Sequence, residues 1–157
     1  MKPEGIRAAL EDDVFDSALV HLSYVDYLRD FQMYFYIPTS VRENFTLRYR
    51  FINCVLMNSE TSLPSEQWKG SLDDNLISEI EDVVQPEIGW VWATRYASMY
   101  PGATFFEFSD AADRWTEALG VKFYEAQFEA DPLRLKVVFS DLVVEEVRVG
   151  HSPYIVD

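Results

Sequence analysis

Two histidines, one cysteine and a short aromatic run hold most of the conventional chemistry available to this chain. His21 and His151 are its only imidazoles, too few for a three-histidine zinc site and not in an HExxH spacing. His21 lies in Leu19-Val20-His21-Leu22-Ser23, where a strand's period of two puts it on one face with Leu19 and Ser23. That setting fits a satisfied, half-buried imidazole better than a general base. His151 falls in a polar tail. Cys54 sits inside an apolar segment with no basic neighbour in sequence, so it reads as a small hydrophobe rather than a nucleophile.

The aromatic run is Gly89-Trp90-Val91-Trp92-Ala93-Thr94-Arg95-Tyr96, and period two gathers Trp90, Trp92 and Tyr96 on one face. Facing inward, these rings are core. Facing a cleft, with His21 or an acid nearby, they would line a small-molecule pocket of a binding protein, hydrolase or isomerase.

The acids are the larger signal. Against 13 Lys and Arg stand 27 Asp and Glu, for a net charge of −14 over 157 residues. Asp110, Asp113 and Glu117 form a ridge along one expected helix, while Glu125, Gln127 and Glu129 share a strand face. Either set suits a basic partner protein, with charge mainly speeding the encounter, and either is also ordinary solvated surface. Nucleic acid is disfavoured as a partner, because the best basic cluster, Arg42, Arg48 and Arg50, is diluted by Glu43. Asp73-Asp74 reads as helix capping, since no third oxygen ligand is placed by sequence. With no GxSxG, P-loop or GxGxxG, no catalytic residue, metal or cofactor is assigned.

Eleven Phe, nine Tyr and four Trp, with 48% hydrophobic residues overall, supply a real core. A single Cys rules out an internal disulfide and suits a reducing cytoplasm. The N-terminal residues lack a secretory pattern, and no apolar run reaches the roughly 20 residues that span a bilayer. A cytoplasmic location, away from membrane, is expected.

The elements follow from punctuation and period. A helix is expected over Pro3–Asp12, then two strands within 18–37 joined near Asp26 to Asp30, then one strand from Phe45 to Met57. A loop over 58–70 leads to a helix from Ser71, with Leu72, Leu76, Ile77, Ile80 and Val83 as its stripe. Gly89–Met99 reads as a strand, Tyr100-Pro101-Gly102 as a turn, and Thr104–Phe108 as another strand. Ser109 and Gly120 bracket the best-marked helix, with Trp115 and Leu119 packing inward. A meander of Val121–Ala130, Leu133–Ser140 and Leu142–Val149 closes the domain. The fold expected is α+β: one domain over residues 1–149, a mainly antiparallel sheet of about seven or eight strands with about three short helices, and a tail over 150–157.

Taken in order, Phe15-Asp16-Ser17-Ala18, Tyr49-Arg50-Phe51, Trp68-Lys69-Gly70-Ser71-Leu72-Asp73-Asp74 and Val138-Phe139-Ser140-Asp141-Leu142 resemble small bacterial proteins of the YxiG-like kind. An immunity role against secreted polymorphic toxins has been suggested for some of them. The resemblance implies a cytoplasmic binding protein and transfers no site residue, and the acidic surface makes a non-enzymatic interaction protein the first function expected. Two other readings stay open: the aromatic-lined small-molecule pocket, and a homodimer formed through a strand edge.

Overall fold

Alternation of large apolar and polar side chains drives this chain into a sheet, and the computed structural model describes it over residues 1–37, 45–65, 68 and 96–148. Eight strands are described: β1 (Ala18–Val25), β2 (Asp30–Ile37), β3 (Phe45–Ile52), β4 (Leu56–Thr61), β5 (Ala97–Phe106), β6 (Tyr124–Asp131), β7 (Leu133–Phe139) and β8 (Asp141–Val147). Two helices are described with them, α1 (Pro3–Glu11) and α2 (Asp110–Leu119). Every pairing among the described strands is antiparallel. The helix expected from Ser71, the Trp90/Trp92 segment and the 150–157 tail lie outside the described residues.

The strand order is β4-β7-β6-β5-β1-β2-β3-β8. The chain runs from β3 straight into β4 and from β7 straight into β8, which joins the two ends of that order. Sheet ends so connected must come together, so the sheet rolls into a barrel-like wall. Aromatic contacts cross its interior: Phe128 on β6 meets Phe35 on β2 at 6.3 Å and Phe51 on β3 at 6.0 Å. Phe51 also meets Phe139 on β7 at 5.0 Å. α1 packs Ile6, Ala9 and Leu10 into the same core. Buried Tyr49 fastens it there, its hydroxyl donating to the Ala9 carbonyl at 2.7 Å.

The corner between β3 and β4 corrects the expectation of one strand from Phe45 to Met57. Ile52 pairs with Asp141 and Leu56 with Val138, so Asn53, Cys54 and Val55 stand opposite only Phe139 and Ser140. One surplus residue makes this a bulge, and bulges bend strands. Asn53 absorbs the bend at φ 48°, a left-handed value that Asn tolerates better than most residues. Its N–H donates to Asp30 at 2.9 Å, and its amide donates to Ser140 Oγ, also at 2.9 Å. Ser140 N–H to Ile52 O and Val55 N–H to Val138 O, both 2.9 Å, carry the ladder around the corner.

The expected meander is also corrected. β7 pairs with β6, but β8 leaves it at Ser140 and pairs with β3 instead. The turn expected at Tyr100-Pro101-Gly102 is part of β5, where an irregularity in register between Ser98 and Gly102 takes up the extra residues. Gly102 holds φ +105° there, a conformation side chains disfavour.

Candidate functional site

Sequence punctuation predicts α2 well, and the structure shows what holds it. Ser109 is the N-cap, its hydroxyl oxygen accepting from Ala112 N–H at 3.2 Å while its O–H donates to Glu125 at 2.7 Å. Gln127 donates to the same carboxylate at 2.7 Å, and Lys136 Nζ lies 3.2 Å from it. Burial alone would push this carboxyl up, yet the hydrogen bonds from Gln127, Ser109 and Lys136 hold it below its ordinary value. At the other end Gly120 takes φ 66°, the left-handed cap that ends a helix. Thr116 Oγ1 accepts from Phe123 N–H at 2.9 Å, fixing the exit. Beneath the helix, Ala112, Phe123 and Val138 form a small core flanked by Trp115, Val55 and Leu56.

Glu125 therefore leaves the set of surface acids: it is 3% exposed and anchors the helix. Asp110, Asp113 and Glu117 do form one exposed ridge, as their spacing predicts, with Arg114 among them. Lys122 reaches Asp113 at 3.8 Å from beside the helix. Asp113 and Glu117 repel each other along the ridge, and the last turn carries no basic residue to offset the dipole. Glu129 is exposed on β6, directly opposite Arg134 on β7, which pairs on its other side with Glu60 of β4. Its charge is thus partly countered.

Next to the end of α2 lies an apolar hollow of about 360 Å³. Leu119, Val121 and Phe123 form one wall, the corner residues Asn53 to Val55 the other, and Arg29 the lip. Leu119, expected to pack inward, is 55% exposed. Arg29 lies 3.7 Å from Asp30, so its charge is locally balanced. Its carbonyl accepts from Cys54 N–H at 2.8 Å, tying the β1–β2 turn to the corner. In that turn Asp26, Tyr27 and Leu28 take φ of 50°, 62° and 64°. Left-handed backbone costs a non-glycine residue roughly 1 kcal/mol or more. In the same turn Tyr27 is 105% and Leu28 74% exposed.

Cys54 is buried at the hollow's floor, its thiol pushed up to about 11 by burial. Against the ordinary value of 9.0, that leaves roughly a hundredth of the usual thiolate at neutral pH. Alkylation by iodoacetamide at pH 8 will therefore run about 100-fold slower than for a free thiol. A rate within threefold of glutathione's would contradict this burial.

His21 sits apart from these features. A bulge between Leu19 and His21 reverses the expected face: Leu19 turns into the core, while His21 and Ser23 point outward together. His21 Nε2 is 3.1 Å from Ser23 Oγ, which accepts from Gln32 Nε2 at 3.0 Å. Tyr34 lies edge-on to the imidazole at 5.8 Å, and burial lowers the ring's pKa. Beyond Tyr34, Arg48 is ion-paired with Glu145. Tyr96 is exposed just ahead of β5, and its expected companions Trp90 and Trp92 lie outside the described residues. Among the described residues no group of three or more His, Cys, Asp or Glu side chains is placed to hold a metal.

The family model described as YxiG-like protein matches residues 3–157, nearly the whole chain. The chain belongs to the YxiG-like protein family. No curated protein matches it. The YxiG-like resemblance read from short motifs is thus confirmed over residues 3–157, and no described helix is long and apolar enough to cross a membrane. Sequence reasoning missed the hollow. Its one signal was Leu119 and Val121 either side of a helix-ending glycine, which places apolar side chains where a helix stops shielding them.

Proposed function

We propose that this YxiG-like domain is a non-enzymatic, immunity-like interaction module that meets a basic partner protein with the acidic face of α2. The supporting observation is that Asp110, Asp113 and Glu117 stand exposed on a helix clamped at both ends, by Ser109–Glu125 and by Gly120 with Thr116. A rigid charged ridge loses little conformational freedom on binding, so its field acts on the partner at low cost. The net charge of −14 extends that field, favouring basic proteins over nucleic acid and anionic membrane. A cytoplasmic setting goes with this reading.

The test is capture on immobilised protein at low salt, followed by elution with rising salt. Replacing Asp110 and Asp113 with Asn and Glu117 with Gln should weaken the captured partner about tenfold, from three exposed pairs at about 0.2–1 kcal/mol each. The salt dependence should flatten as well. Unchanged affinity and salt slope would remove α2 from the interface.

A further inference from the structure

We infer that the hollow beside the end of α2 takes one large apolar side chain, such as Phe, Leu or Met, from that basic partner. The inference rests on reading α2 as the interaction face and names what anchors the partner there. Interfaces gain most of their affinity from a few apolar or aromatic anchors seated in a pocket, with charge arranged around them. This corner of the molecule has that anatomy. The hollow of about 360 Å³ is lined mainly by apolar side chains. Exposed Leu119 and Val121 border it, and the turn that supplies its lip also presents Tyr27 and Leu28 to solvent.

Charge complementarity selects the partner. Arg29 at the lip is balanced by Asp30, and Arg50 nearby faces both Asp26 and Asp30 at 3.5 and 4.0 Å. The lip is therefore close to neutral, and the nearest net negative field is the ridge of Asp110, Asp113 and Glu117, which Arg114 and Lys122 offset only in part. Ridge and hollow share one short helix: Leu119 lines the hollow two residues after exposed Glu117. Ten helical residues span about 15 Å, well inside a standard interface patch of roughly 800 Å² per partner. A ligand with basic residues flanking one apolar side chain can engage both at once.

The probes are two capped pentapeptides, Lys-Lys-Phe-Lys-Lys and Lys-Lys-Gly-Lys-Lys, titrated at low salt and followed by amide chemical shifts. An extended pentapeptide reaches about 17 Å, enough to cover the helix. The Phe peptide should bind about tenfold more tightly than the Gly peptide, with shifts at Val55, Leu119 and Val121. Val121→Trp should fill the hollow and erase that preference while leaving the shared, salt-dependent binding intact. Because Val121 is half exposed, this enlargement leaves the core alone, and Leu28→Asp offers a second surface variant that should reduce the preference.

Equal affinities for the two peptides would overturn the anchor while leaving the acidic ridge standing. A Phe preference that survives Val121→Trp would overturn it too. A Phe preference indifferent to neutralising Asp110, Asp113 and Glu117 would support the hollow as an anchor site and overturn the reading of α2. Failure of both peptides to bind would count against both.

Discussion

Phe128→Ala will destabilise the domain by about 3–5 kcal/mol, the loss expected when a fully enclosed aromatic ring is deleted. Phe128 has 0% exposure and reaches from β6 across the interior to Phe35 and Phe51 on the opposite wall. The void cannot easily close, because both walls are held by continuous antiparallel ladders. Since domains of this size are stable by only about 5–15 kcal/mol, the variant should lose a large share of its stability. Urea unfolding followed by circular dichroism measures it. A loss under about 1 kcal/mol would mean that the two walls do not meet at this ring.

Glu125→Ala should cost about 2–4 kcal/mol, although Glu125 lies on the outer face of its strand. Its carboxylate gathers Ser109, Gln127 and Lys136, so truncation leaves the helix cap and the lysine without their acceptor. Glu125→Gln separates charge from shape. The folded-state carboxyl titrates below its ordinary value of 4.5, so its contribution to stability is complete above that value. The contribution is lost as pH falls through the folded-state value. The stability gap between wild type and Glu125→Gln should accordingly narrow on acidification below about pH 4.5. A gap constant from pH 7 to pH 3 would show that the carboxylate's charge does not stabilise the fold.

Local patterns were the legible part of this fold. Pro3, Ser109 and Gly120 mark helix ends because caps are chemistry within one turn, and the structure keeps all three. The faces of β2 were readable because Phe31, Met33 and Phe35 alternate strictly with Gln32 and Tyr34. What escaped depended on partners distant in sequence. Nothing within Phe45–Met57 announces a bend, since Asn53 and Cys54 look compatible with a continuing strand. The bend is imposed by Ser140 and Asp30, which lie far away along the chain. The same logic hid the bulge at Val20, which set Leu19 and His21 on opposite faces. Among the candidate site residues, the α2 ridge was legible from helical spacing. Glu125 was not: a strand acid looks alike whether it meets water or is itself buried against a lysine from the next strand.

The corner where β3 turns into β4 and β7 into β8 also shapes how the protein comes to be made. The ladder that closes the wall begins with Thr46 against Val147, residues separated by most of the chain. Contacts so remote in sequence carry a large loop-closure entropy, placing the domain among topologies that fold in milliseconds to seconds rather than microseconds. On the ribosome, β1 to β3 emerge with Phe31, Phe35 and Phe51 facing a half-built interior. That interior stays open to water until β8, about a hundred residues further along the chain, arrives to complete it. Until then the nascent chain exposes apolar surface of the kind that chaperones bind.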